Sequence, residues 1–537
     1  MARRKEGSGD PASAPNHDEL DATRHPKFPC PDLAATRGVP VIEPACVPRA
    51  SRKIVAEDQA TDYAAVMRSY CLSRNVANEV GAWRRKLVFI GIFLLASLAS
   101  PGVNAAEPEW KVGQATVKIT PAKPLMLAGY AARNRPFDRI EDDLFAKALV
   151  IEDVSGNRGV MVTADLIGFT AAIAEPICER LQKTTGLRRE QIVLNASHIH
   201  TGPSLSLNPA KRGNFSAEDA INTVEYTRWL QDQIVEVVTR ALAELTPARL
   251  SWGGGHASFA MNRREFTPTT IKLGVNPRGL VDRTVPVLRI DGLDGEPRAV
   301  VFGYACHNTT LTQRDYMLSG DYAGYAQRWI EERFPEVQAM FVTGCAGDAN
   351  PYPLGTLELA RQHGATLGEE VCRVLGTTLQ PVRGTLTCVF DHVALPVRQM
   401  DRNELERMTL VGNIREKATA AAMLAAVERG EPQPTSYPAP VAVWQFGDDL
   451  TFVGLSGEVV VDFVPLIEKA IGPLQVWISA YCNDVFGYIP SARVVAEGGY
   501  EARGIYTING LFTAQAESVL VDKVRELSAR AGRKPVP

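Results

Sequence analysis

Short apolar runs alternate with helix-periodic segments along most of this chain, and that alternation restricts its fold more than any other feature. Runs 148–152 (ALVIE) and 160–165 (VMVTAD) read as strands buried on both faces. Ile173, Ile177 and Leu181 share one face of a helix that Thr170 opens and Gly186 ends. Another strand at 192–195 follows. Ser216 and Asp219 then open a long helix with an apolar stripe through Trp229, Leu230, Ile234, Val237, Val238, Leu242 and Leu245, which Pro247 stops. Strands are expected at 285–290, 299–305, 338–342, 386–397, 441–446, 451–454 and 475–479. Helices are expected at 322–333, 357–375, 403–429, 462–471 and 510–529. Such an order predicts an α/β fold of mixed β-sheets flanked by helices. The glycines at 253–255 lack a phosphate-loop context and read as a turn.

The first hundred residues are different. Residues 1–50 hold eight prolines and almost no apolar periodicity, so 1–82 read as a disordered or mis-annotated extension, with Met67 as another possible start. Arg84, Arg85 and Lys86 precede a 13-residue apolar run at 87–99; Pro101 and Gly102 break it, and Val103 and Ala105 occupy cleavage positions. Residues 83–105 therefore read as a signal peptide, and 106–537 as one exported domain. Left uncleaved, the segment would anchor the chain to a membrane.

No later run reaches 18 apolar residues, which allows at most peripheral membrane contact. A net charge of -3 gives no electrostatic case for a nucleic-acid partner. Six cysteines follow residue 105, and export permits but does not require pairing among them. There is no GxSxG, HExxH, Walker A or dinucleotide fingerprint, which disfavours the matching enzyme classes.

Histidines are few, so their placement is informative. His198 and His200 follow the strand at 192–195; two positions apart on a strand, they would face one site. His307 follows the strand at 299–305, whereas His256, His363 and His392 read as structural. A loop of Gly344, Cys345, Ala346, Gly347, Asp348, Ala349 and Asn350 is either a ligand cradle or a tight turn. Glu458 either caps a helix or serves as a carboxylate ligand. Tyr488 and Tyr500 lie near glycine turns.

In order, Ala128-Gly129-Tyr130, Val162-Thr163-Ala164-Asp165, Ser197-His198-Ile199-His200-Thr201-Gly202-Pro203, Asn262-Arg263, His307, Gly457-Glu458 and Gly487-Tyr488 resemble the catalytic domain of neutral (non-lysosomal) ceramidases. The His-x-His-Thr-Gly-Pro element is the most specific of these. The resemblance implies one zinc ion held by His198, His307, Glu458 and Tyr488, with His200, Arg263 and Tyr500 lining the active site. Two imidazoles and a carboxylate suit zinc, which can activate water and polarise a carbonyl; Arg263 and His200 would steady an oxyanion. Where the family carries a serine, this chain has Asn350, an amide that is a poor nucleophile but a competent hydrogen-bond donor. The expected fold is that of the catalytic domain without the family's C-terminal β-sandwich. The expectation is an exported zinc hydrolase acting on an amide or related acyl bond of a small or lipid-like substrate, as in sphingolipid metabolism. The alternative is a metal- or ligand-binding relative that has lost activity. In a third reading Asp348 adds another metal ligand and the enzyme cleaves a different bond, such as a phosphoester; two metal ions per chain would favour it.

Overall fold

Strands buried on both faces need a partner layer on each side, and the fold supplies it as two sheets stacked between two sets of helices. The computed structural model describes residues 110–209, 215–411, 414–503 and 510–534, all within one compact unit. The expected extension at 1–82 and signal peptide at 83–105 lie outside them. The main strands are β1 (Trp110–Lys118), β2 (Phe145–Asp153), β3 (Arg158–Ala164), β4 (Ile192–Ala196), β5 (Thr246–His256), β6 (Ala260–Phe266), β7 (Thr284–Gly292), β8 (Pro297–Tyr304), β9 (Gln338–Thr343), β10 (Leu386–Arg398), β11 (Ser436–Phe446), β12 (Leu450–Leu455) and β13 (Val476–Ser479).

The larger sheet runs β9-β8-β7-β5-β1-β2-β3-β4, and the second runs β13-β12-β11-β10. Side-chain alternation explains their stacking. Ala146, Ala148 and Val150 of β2 join Val160 and Val162 of β3 under helices Ala171–Thr185 and Ala217–Ala243. Leu149, Ile151 and Met161 point the other way, onto Trp444, Phe446 and Phe452 of the second sheet. Val453 and Leu455 then face helices Phe463–Ile471 and Gln515–Arg530.

Pairing is mostly antiparallel. The pairs β3–β4, β8–β9 and β12–β13 are parallel. Each needs a crossover, and helices Ala171–Thr185, Asp321–Arg333 and Phe463–Ile471 supply them. The edge strands of the large sheet also meet. The Asn195 amide oxygen accepts from Thr343 N (3.2 Å), and Thr343 Oγ1 donates to Ala196 O (2.8 Å). That closure brings together the loops leaving the carboxyl ends of β4, β8 and β9, where α/β folds place their sites.

The helix at 217–243 opens on the expected Ser216–Asp219 capping box. It ends at Ala243, and Pro247 already belongs to β5; Trp229 is exposed and not part of the buried stripe. Residues 253–255 are not a turn but run inside β5, paired with β7. The reason is steric. A Cβ at Gly253 would stand 2.6 Å from Leu379, and one at Gly255 would stand 2.4 Å from the Glu370 carboxylate. Glycine at these positions leaves room for Leu379 and for the side chains of the helix Leu357–Leu375 against the sheet. The charged segment at 403–429 is two helices, Arg402–Leu410 and Ile414–Glu428. The last helix starts at Gln515, because Leu511 and Phe512 form a strand against β10. Among the described residues all six cysteines are unpaired. Among the described residues no helix is long and apolar enough to cross a membrane.

Candidate metal centre

His198 and His200 do not face one site by strand alternation, because β4 ends at Ala196. Instead His198 takes a left-handed backbone (φ 61°), unusual for a residue with a Cβ. The turn still brings the rings together, with their Nε2 atoms 3.3 Å apart. Gly129 (φ 87°) permits it: a Cβ there would lie 2.3 Å from the His200 ring. Arg133, buried, donates to Ala128 O and His200 O and so ties this loop to the imidazole segment.

His307 arrives from the end of β8. Its backbone N donates to Ala349 O (3.0 Å). Its Nδ1 bonds Ala346 O (2.7 Å), as His198 Nδ1 bonds Ile167 O (2.6 Å). A carbonyl can only accept, so both Nδ1 atoms carry a proton, and in the neutral rings the Nε2 atoms present lone pairs. Those two lone pairs face the same Glu458 oxygen at 3.2 Å each. Glu458 opens a two-residue strand paired in parallel with Tyr488–Ile489, and so does not cap a helix.

Burial, and next the Arg263 charge, pushes His307 down to about 4. Burial and the two neighbouring imidazoles hold His200 well below its usual value. Burial opposes ionisation of Glu458, but positive charge and N–H donation from His198 and His307 outweigh it and hold the carboxyl well below its usual range. With both rings neutral, their Nε2 lone pairs and the Glu458 carboxylate would point acceptor at acceptor. A cation between them resolves that conflict, and the ligand atoms of His198, His200 and His307 lie within 4.8 Å of one another. The residues present therefore fit a metal ion, with His200 as a third imidazole beside the expected pair.

The other expected residues converge here too. Arg263 Nη1 reaches His307 Nε2 (3.1 Å) and donates to Asn350 Oδ1 (3.2 Å), which also accepts from Thr309 Oγ1 (3.4 Å). Burial works against the Arg263 charge, but Tyr488, Glu501 and Glu458 hold it well above its usual value. The Tyr488 ring stacks on His307 with centroids 6.5 Å apart, and Tyr500 packs on Tyr488 at 5.4 Å. A cavity of about 150 Å³ opens beside His198, His200, Glu458, Tyr488 and Tyr500, walled by Ile167, Ile173, Leu205, Val485 and Phe486.

Asp348 stands outside the cluster. One carboxylate oxygen accepts from Val461 N (2.8 Å) and the other from Asn262 Nδ2 (2.9 Å), which fixes the loop to its neighbours. His363 is remote as well, bonded to Pro353 O and stacked on Phe259. Two participants carry no motif. Tyr481, itself at positive φ (58°), packs on His198 with centroids 4.4 Å apart, and Glu501 pairs with Arg263. Their only sequence signals are positions after the strand at 475–479 and beside Tyr500.

Asp484 anchors the cavity wall by accepting from Ala171 N (2.8 Å) and from the Tyr437 hydroxyl (2.6 Å). Burial pushes its carboxyl up to about 6 from 3.8. Its contribution to stability is therefore complete below the unfolded value and lost as pH rises through about 6. Asp484→Asn, which mimics the protonated form, should remove that loss. Denaturant titrations at pH 5 and pH 8 should show a decline smaller than wild type's by about 1–3 kcal/mol. An unchanged pH dependence would reject this reading.

A family model described as neutral/alkaline non-lysosomal ceramidase, N-terminal, matches residues 110–387. The chain is 28% identical over 338 residues to a neutral ceramidase of Pseudomonas aeruginosa, covering 57% of this chain and 48% of that protein. It is 25% identical over 275 residues to one of Mycobacterium tuberculosis, covering 46% and 41%. It thus spans about half or less of the length of these relatives. The crystal structure of the Pseudomonas aeruginosa neutral ceramidase shares the fold, with a TM-score of 0.62 at 21% identity over 80% of this chain and 76% of that one. Family model, fold and convergent histidines agree: the chain belongs to the neutral/alkaline non-lysosomal ceramidase family.

Proposed function

We propose that the chain is a zinc-dependent hydrolase of an amide or related acyl bond, with a ceramide-like or other N-acyl substrate. One observation carries the reading: two imidazole Nε2 atoms and a carboxylate oxygen meet at 3.2 Å beside a cavity walled in part by apolar side chains. His198, His307, Glu458 and Tyr488 would hold the ion, and His200 would border it. When bound, zinc activates water and polarises the acyl carbonyl.

The chain's own residues do the rest. Ile167, Ile173, Leu205, Val485 and Phe486 take the acyl chain and exclude water from the reacting carbonyl. Arg263 presents a buried Nη2 that makes no hydrogen bond, a donor for the oxyanion of the tetrahedral state. Asn350 spends its oxygen on Arg263 and Thr309. Its Nδ2 is the side that can donate to substrate. Asn350→Ala should therefore cost roughly 10²–10³ in kcat, the usual price of one oxyanion donor. A variant within twofold of wild type would remove Asn350 from the site chemistry.

Asn350 in place of the family's serine also favours a second reading, a metal-binding relative without activity. A zinc-loaded chain inert towards a broad panel of N-acyl amides and esters would select it. Export follows from the 83–105 segment; N-terminal sequencing of secreted protein should begin at Ala106, and a full-length cytosolic product would contradict it.

A further inference from the structure

We propose that Glu501 is a positioning residue: its carboxylate bridges Arg263 and Arg264 and thereby aims the Arg263 guanidinium at His307 and Asn350. This rests on the acyl-hydrolase reading above.

The geometry starts at an irregularity in β6. Its pairing with the strand Ile271–Asn276 slips between Asn262 and Arg264, so regular register fails at Arg263. A regular strand sends consecutive side chains to opposite faces. Here two consecutive arginines reach one carboxylate: Arg263 Nε donates to Glu501 Oε1 (2.9 Å) and Arg264 Nη1 to Oε2 (2.6 Å). Re-aiming a side chain next to a site is a recurrent use of such irregularities. All three side chains are buried, Arg264 and Glu501 at 1% exposure.

The two arginines have different tasks. Arg264 is tied outward, its Nη2 donating to Glu497 Oε2 (3.0 Å) and Gly498 O (2.8 Å). Arg263 is tied inward, to His307 and Asn350, with Nη2 left without a hydrogen bond. Glu501 is the joint between them. It occupies Arg263 Nε, which fixes the plane of the guanidinium and with it the direction of both terminal nitrogens. Gly498 (φ 74°) and Gly499 (φ 90°) turn the chain so that Tyr500 lines the cavity while Glu501 points behind it. Wall and clamp thus come from adjacent residues.

The test is a double-mutant cycle on the full chain loaded with zinc. Glu501→Gln keeps the shape but removes the charge and sets an amide N–H₂ against one arginine. It should lower kcat on a fluorescent N-acyl amino alcohol by about 10–100-fold, with KM changed less than about threefold. Binding of dodecanoate, the carboxylate product, should weaken about tenfold by calorimetry, with zinc content unchanged. In an Arg263→Ala background, Glu501→Gln should change either quantity by less than about twofold, because the residue acts through Arg263. Equal losses in both backgrounds, or loss of zinc, would assign Glu501 a structural role and overturn the proposal. If Glu501→Gln does not fold, Glu501→Asp carries the same cycle and the same criteria. A wild-type chain that neither cleaves the amide nor binds dodecanoate overturns the hydrolase reading itself, and this inference with it.

Discussion

Replacing His307 by alanine should leave the purified chain with little bound metal, and replacing His198 should do the same. Each ring is locked by an Nδ1 bond to a backbone carbonyl, and each supplies an Nε2 lone pair to the same point. Disturbing such an outer partner alone usually costs 10–100-fold in affinity, so loss of the ligand should exceed roughly 100-fold. Activity should fall with metal content. His363→Ala is the control, since that ring is spent on Pro353 and Phe259. Elemental analysis of the three variants reads the result. Full metal content in His198→Ala or His307→Ala would show that the ion, if any, sits elsewhere.

Trp444→Ala should cost about 3–5 kcal/mol of stability, the range for a large aromatic removed from a core. Trp444 is 1% exposed on β11, between the two sheets. Its ring packs on Phe452 at 6.0 Å and its Nε1 donates to Glu190 O (3.0 Å). A Cβ at Gly159 would stand 3.2 Å from the ring, so the space is fitted to an indole. Alanine would leave a cavity and an unpaired carbonyl. Urea unfolding should show a lower midpoint with a similar slope. A loss below about 1 kcal/mol would mean that the sheets do not pack through this residue.

The layers were legible in the sequence because both faces of these strands are apolar. The helix at 357–375 has the expected bounds, and the one expected at 322–333 starts a single residue earlier. Pairing was not legible. No local pattern says that β4 and β9 meet at the sheet edges through Asn195, which is what joins His198 to His307. The glycines at 253–255 misled for a related reason: they answer to a helix packed on the sheet, not to a local turn. Of the candidate residues, His198, His200, Arg263, His307, Asn350, Glu458, Tyr488 and Tyr500 all lie at or around the cavity. Motif order selected them, whereas the strand-alternation reason offered for His198 and His200 fails at the positive φ of His198. Glu501 acts through ion pairs to Arg263 and Arg264 and Tyr481 through packing on His198, contacts made across long stretches of chain that leave no signature in a single sequence.

Hydrolysis of an N-acyl amino alcohol by the zinc-loaded chain, followed before and after chelation, decides between these readings. Turnover should vanish when the metal is removed and return when zinc is restored, and no pre-steady-state burst should appear. Burial holds the Cys345 thiol well above its usual value, and Ser319 Oγ is spent on Asp142, so neither is poised to attack. Turnover that survives chelation, or an acylated peptide containing Ser319, Ser456 or Cys345 seen by mass spectrometry, would contradict a metal-dependent route.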